Sequence, residues 1–372
     1  TAYEITCRDW SSDVGSSELF GGDALFAENG RYISQSFKQG EQLVEFCGQR
    51  YGWDVLMVLF KLVDNLQHKV WRYIGQTGHQ RDPKRAAMVD DCFKALDDTL
   101  GWLAEYARRH DALMLIMSDH GHGALEGKVQ PNLLLNRWGY LALRSPLTRV
   151  KGRLTRVATR AMGRKIGRGA LGIPVLERDL AVDFANTRAC VMHAGMCGFL
   201  YLNLKGRQPS GVVEPGRYES LRDEIRDRLL AVTATRPDGR ACSVFPAVLK
   251  PAAYYRCRRE DQPWMPDLML VPTPGLAVVR KIRGFSPVRW IPPNRQGGTH
   301  RVEGVLGALG PGVRPGSVVN GCLADMTPTV LAALGLPIPS DMEGRALVEL
   351  FDPRPEVRDR KSTRLNSSHG KL

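Results

Sequence analysis

The sequence predicts an α/β fold, a sheet with helices on both of its faces. Three observations predict it. Short apolar runs alternate with longer stretches of helical periodicity. Two of the apolar runs end directly in carboxylate–imidazole pairs, as the ligand-bearing strands of open α/β sheets do. A chain of 372 residues that is 43% hydrophobic can bury a full core without disulfides.

Residues 53–60 (WDVLMVLF) read as a buried strand. Residues 85–108 read as an amphipathic helix with Met88, Cys92, Leu96, Leu100 and Leu103 along one face. Residues 112–118 (ALMLIMS) form a second expected buried strand and 199–204 a third, followed by a turn and a helix over about 218–230. Residues 267–271 and 302–309 are further strand candidates. Residues 325–334 then predict a helix, with Gly335 at its C-terminal end and Pro337 just beyond. The stretch 264–296 is rich in Pro, Gly and Arg and reads as a long surface loop. From 353 to 372 the chain is polar, and its end, KSTRLNSSHGKL, lacks apolar periodicity. That tail is expected to be disordered or artefactual, and its His369 takes no part in the fold.

The formal charge of +13 is concentrated. Arg144, Arg149, Lys151, Arg153, Arg156, Arg160, Arg164, Lys165 and Arg168 crowd one stretch free of acidic residues, interleaved with apolar residues at helical spacing. The reading is a basic amphipathic helix, part of an insertion over 144–183. Residues 144–168 could make weak contact with an anionic membrane surface, although a solvated covering helix accounts for the pattern as well. RNP, KH and zinc-finger patterns are absent, so no specific nucleic-acid partner is expected. The apolar run at 53–60 is strand-sized, too short to span a bilayer. Eight scattered cysteines without a C-x-x-C pair fit neither a zinc ribbon nor a secreted disulfide scaffold. Reduced thiols and a cytoplasmic location are expected.

The chemistry sits at two strand ends. After WDVLMVLF comes KLVDNLQH, with Asp64 and His68 at i and i+4, so one helical turn sets a carboxylate and an imidazole on the same side. After ALMLIMS comes Asp119-His120-Gly121-His122-Gly123, where the glycines let the backbone turn sharply around a bound group. Carboxylate plus imidazole suits Zn²⁺ and, with more oxygen donors, Mn²⁺. Taken alone, Asp64 and His68 read more readily as a helix-start carboxylate and a surface histidine.

The segments VDNLQH, MSDHGHG, VDFANTRA, GFLYLNLKGRQPSGVVEPG, GGTHRVEGVLGALGPGV and DMTPTVLAALGLPIPSDMEGRAL change that balance. In order and spacing, from about Trp53 to Leu350, they resemble the type I phosphodiesterase/nucleotide pyrophosphatase family of the alkaline-phosphatase superfamily, in its bacterial and archaeal phosphohydrolase/phosphomutase branch. No sulfatase-type C-x-P-x-R occurs. The resemblance implies a three-layer α/β/α alkaline-phosphatase-like core over 1–352 with a mostly parallel sheet and an inserted helical segment. It assigns Asp64, His68 and His300 to one divalent cation and Asp119 and His120 to a second, most readily Zn²⁺ with Mn²⁺ as the alternative. The second site's remaining ligands, an Asp at the end of the first strand and a Thr or Ser nucleophile, belong upstream of Thr1. The chain is therefore expected to lack the N-terminal part of its domain and, as written, to be inactive.

The implied activity is hydrolysis of phosphate ester, phosphodiester or pyrophosphate bonds of a small phosphorylated substrate, through a two-metal site and a phospho-enzyme. A phosphomutase of the same superfamily, or a non-catalytic metal- or anion-binding protein, are the alternatives. The remaining side chains read as structural. His122 is placed outside the ligand shell or at the surface. His79, His110 and His193 carry no motif. Lys205 and Arg207 are assigned to a surface turn, and Cys190 and Cys197 to the core as small hydrophobes.

Overall fold

In the computed structural model the described residues are 2–6, 23–144, 182–193, 195–255, 264–357 and 359–360. Nearly all of the basic segment 144–168 and the tail from 361 onward lie outside them. The chain forms two compact units, one of Thr1–His122 with His300–Leu372, the other of Gly123–Thr299.

The first unit is built on two long helices, Asp23–Arg50 and Pro83–Arg109, packed against each other. The first of these was not anticipated from the sequence. Its inward residues Phe26, Ile33, Phe37 and Val44 are spaced by 7, 4 and 7, which is helical periodicity diluted by Gly, Ser and Gln. The second begins with Asp82, whose side chain accepts from the Arg85 amide, and with Pro83 in the first turn. Buried Glu41 accepts from the Thr99 hydroxyl at 2.6 Å and from Lys38 at 2.9 Å, which satisfies a carboxylate that would otherwise be costly between the two helices.

Between these helices in sequence lie the strand Val55–Leu59, parallel to Ala2–Thr6, and the helix Leu62–Val70. Leu62, Leu66 and Val70 stand at i, i+4 and i+8 and are buried with Phe26, Phe37, Tyr73 and Val89. Each such side chain removed from water is worth about 1.5–3 kcal/mol, enough to fix the rotation of a nine-residue helix. The strand Met114–Met117 pairs antiparallel with Leu306–Leu309, and Leu306 and Ala308 pack on Leu347, Leu350 and Phe351. The helix Met326–Ala333 follows a short turn of 3-10 helix and ends before Gly335, whose φ of +67° is the left-handed terminator expected there.

The second unit holds a four-stranded antiparallel sheet, in the order Ala247–Leu249, Leu268–Val271, Gly198–Leu202, Ala189–His193. Its helix Tyr218–Leu230 buries Leu221, Ile225 and Leu229 in the same core as that sheet. A three-stranded sheet runs Leu276–Val278, Gly127–Val129, Val288–Trp290. Fully buried Asp267 accepts from the Leu202 amide at 2.6 Å, from the Tyr218 hydroxyl at 2.7 Å and from both guanidinium arms of Arg207 at 3.1 and 2.7 Å.

Several expectations are corrected. The chain is mixed α/β, but its sheets are small and mostly antiparallel, where a mostly parallel sheet was expected. Connections as short as 194–197 and 236–240 force neighbouring strands into hairpins, because a parallel return needs a crossover of about a dozen residues or more. Strands 55–59 and 114–117 are not fully buried, since Met57, Leu59 and Met117 each expose about two fifths or more of their surface. The expected surface loop over 264–296 instead contributes three strands and the buried residues Leu268, Leu270, Leu276, Val278 and Val288. Arg207 is not a free surface group, being tied to Asp267. In the polar tail, Asp359–Arg360 pairs parallel with Ile338–Pro339. Cys190 is buried in the core as expected, whereas Cys197 is only half-buried; burial raises both thiols and pushes Cys190 up to about 12. No helix among the described residues is long and apolar enough to cross a membrane.

Candidate metal centre

The helix Leu62–Val70 positions the first two donors. Residues two apart on a helix point about 200° from each other. Burial of Leu62, Leu66 and Val70 therefore turns Asp64 and His68 to the opposite side, and the predicted i, i+4 contact forms, with His68 Nε2 3.3 Å from Asp64 Oδ1. Asp64 lies in the helix's first turn, where the peptide dipoles favour an anion.

The second segment leaves the strand Met114–Met117. The Ser118 amide donates to the Val305 carbonyl at 3.0 Å, and the Val305 amide donates to Ser118 Oγ at 2.8 Å. That clamp holds residues 118–122 against 300–305, within the same unit. Gly121 lies so close to the Glu303 carbonyl that a Cβ at this position would overlap it. His300 lies on the strand Gly298–Arg301 and reaches the cluster from the far end of the sequence.

Four donors converge. One ligand atom from each of Asp64, His68, His122 and His300 lies within 4.8 Å of the others, a grouping able to hold a metal ion. Asp64 Oδ1 is its centre, with the Nε2 atoms of His300 at 3.2 Å, His68 at 3.3 Å and His122 at 3.4 Å. His120 Nε2 stands slightly farther off at 3.8 Å, its ring stacked on that of His300 with centroids 3.7 Å apart. Asp119 is not gathered in: its side chain is 75% exposed, and its carboxylate is 3.7 Å from the ring of its neighbour His120. Of the residues expected to bind metal, Asp64, His68 and His300 are thus brought together, His120 stands at their edge, and Asp119 faces solvent.

His122 is the residue that sequence reading set aside. Its side chain is 3% exposed and its ring packs near those of His68 and Trp71. The available signal was strand alternation: in extended backbone, residues i and i+2 share a face, so His122 follows His120 toward Asp64. Two other set-aside histidines lie elsewhere, His79 on Asp90 at 2.6 Å and His110 against Trp53 and Tyr106.

The electrostatics suit a cation. Burial opposes charge on Asp64, but the imidazoles around it, His68 foremost, prevail and bring its carboxyl down to about 2. Burial, with repulsion from His68, brings His122 down to about 4. His300 is lowered by burial and then by His120 and His68. At neutral pH Asp64 therefore presents an anionic oxygen, and His122 and His300 present unprotonated imidazoles. Asp64 Oδ1 and His122 Nε2 are both buried without a hydrogen-bond partner. Two such orphans facing each other are costly unless something binds both, and a divalent cation does so. The residues present fit the group.

The sequence model of the family described as type I phosphodiesterase / nucleotide pyrophosphatase matches residues 3–302. No curated protein sequence matches the chain. Solved structures that resemble it include phosphonoacetate hydrolase from Sinorhizobium meliloti 1021 in complex with phosphonoacetate, at 14% identity and a TM-score of 0.29, covering 68% of this chain and 43% of that one. The same hydrolase in complex with phosphonoformate aligns at 14% identity and a TM-score of 0.31, covering 74% and 51%. The chain spans about half or less of the length of those structures, and likeness at that level says nothing about chemistry.

Proposed function

Because the chain belongs to the type I phosphodiesterase / nucleotide pyrophosphatase family, we propose that the protein is a metal-dependent phosphohydrolase acting on phosphate ester, phosphodiester or pyrophosphate bonds of a small phosphorylated substrate. The observation that carries this reading is the convergence of Asp64, His68 and His300, drawn from two segments more than 200 residues apart in sequence, on one carboxylate oxygen. Those are the residues that the family resemblance groups around one cation.

A divalent cation bound there supplies positive charge to the phosphoryl oxygens and lowers the pKa of a bound water. Asp64 contributes the anionic donor and stays ionised through the physiological range. His68 and His300 contribute nitrogen donors, and the imidazole-rich set favours Zn²⁺ over Mg²⁺, with Mn²⁺ the next best fit. The reading extends to a second cation at Asp119 and His120, whose exposed carboxylate is accessible to an ion from solvent. It also includes a phospho-enzyme on a Thr or Ser hydroxyl, a role assigned to no described residue. The thiols of Cys47, Cys92, Cys190, Cys197, Cys242 and Cys322 are free, in keeping with the cytoplasmic location proposed for the protein.

The test is a hydrolysis assay with an aryl phosphodiester and an aryl phosphomonoester, on protein expressed from its complete reading frame and loaded with Zn²⁺ or Mn²⁺. Turnover that disappears on chelation and in the Asp64→Asn variant supports the proposal. Stoichiometric metal without turnover on either ester makes the protein a metal-binding module instead.

A further inference from the structure

We infer that His122 is a fourth protein ligand of the cation held by Asp64, His68 and His300. The inference deepens the proposed function and rests on it, because the three other ligands are those of that reading. The family resemblance gives this cation one carboxylate and two imidazoles, and leaves the position of His122 without a role.

Geometry carries the assignment. The His122 side chain is 97% buried in the sense that only 3% of it is exposed, yet Nε2 has no hydrogen-bond partner. It faces Asp64 Oδ1 across 3.4 Å, and that oxygen is equally unpartnered. The ring lies edge-on to His68 with centroids 4.7 Å apart and to His300 at 5.2 Å, so the three imidazoles surround the carboxylate from different directions. A core histidine without a ligand role would turn its nitrogens to backbone carbonyls or hydroxyls. This one turns Nε2 to the oxygen that the other two histidines share. Three nitrogens and one carboxylate oxygen are four donors, the number and kind that Zn²⁺ takes in its four-coordinate sites.

The position follows from the chain. His120 immediately precedes the strand Gly121–Ala124 and His122 lies on it, two residues on, so both imidazoles can be turned toward Asp64. His122 lies 0.4 Å closer to Asp64 Oδ1 than His120 does.

The experiment is X-ray absorption spectroscopy of the full chain loaded with one equivalent of Zn²⁺, paired with Zn²⁺ affinity measured by competition against a chromophoric chelator. Wild type is expected to show three imidazoles on the metal. His122→Gln is expected to show two, with affinity at least about tenfold weaker, the scale set by loss of supporting residues at metal sites. Circular dichroism of the variant before loading establishes that it folds. If it does not, the imidazole count in wild type alone decides. Two imidazoles in wild type, or a folded His122→Gln variant with unchanged count and affinity, overturns the inference and leaves the three-ligand site standing. If wild type binds no Zn²⁺ at all, the proposed function falls along with the inference.

Discussion

The Nε2 of His122 lies 3.4 Å from the Oδ1 of Asp64, and neither buried atom has a hydrogen-bond partner. The pair is a source of instability in the metal-free protein, and its pH dependence has a definite sign. His122 has a folded pKa of about 4 against an ordinary value of 6.5, so between those values the unfolded chain binds the extra proton. Stability should therefore decline as pH falls from about 6.5 to about 4, by up to about 3 kcal/mol from this group. Asp64, at about 2 folded against 3.8 unfolded, adds a loss of the same sign that falls mostly below pH 4. Urea unfolding of the metal-free protein at pH 7 and pH 4.5 measures the decline, and His122→Gln should flatten it.

Asp64 is the one anion in contact with all the cluster's imidazoles. Asp64→Asn keeps the shape and removes the charge. Zn²⁺ affinity should fall by more than the roughly 10–100-fold typical of losing an outer-sphere partner. A chelator-competition titration measures it. An unchanged midpoint would exclude Asp64 as a ligand.

Gly121 admits the carbonyl of Glu303 where any side chain would collide. Gly121→Ala should cost about 1–3 kcal/mol, the usual range for forcing an extra carbon into a packed site. Because the displaced segment carries His120 and His122, Zn²⁺ affinity should fall with stability. Denaturant unfolding and metal titration on the same variant report both.

The other unit has its own sensitive point. Asp267→Ala leaves the Arg207 guanidinium in place without its carboxylate, together with the Tyr218 hydroxyl and the Leu202 amide. Breaking a buried pair from one side costs about 3–5 kcal/mol. Urea unfolding should register that loss. The Zn²⁺ titration midpoint should stay at the wild-type value, since no residue of the cluster belongs to this unit.

Part of the candidate site's geometry could be read before the structure. Asp64 and His68 were legible because a single helical turn fixes their relationship locally. The helix Tyr218–Leu230 was equally legible, since Leu221, Ile225 and Leu229 announce it without help from distant residues. His300 needed the family resemblance, because nothing near it in sequence indicates a partner at Asp64. His122 was left outside the ligand set because a histidine's role depends on what it faces, and no local pattern in the sequence shows that by itself. The three strands within 264–296 were hidden for a related reason. Each is only three or four residues long, flanked by Pro and Gly, and is defined by partners elsewhere in the chain. The helix Asp23–Arg50 escaped because two glycines and a run of amides blur its apolar stripe.

One consequence concerns connectivity. The polypeptide leaves the first unit directly after His122 and re-enters it at His300. Those two side chains, with ring centroids 5.2 Å apart, stand at the neck of an inserted loop almost half as long as the chain. An ion gripped by both would act as a clasp across that neck, performing for the loop what a cystine does for a much shorter one. The inserted part could then be lengthened, trimmed or exchanged while the clasp keeps its ends together.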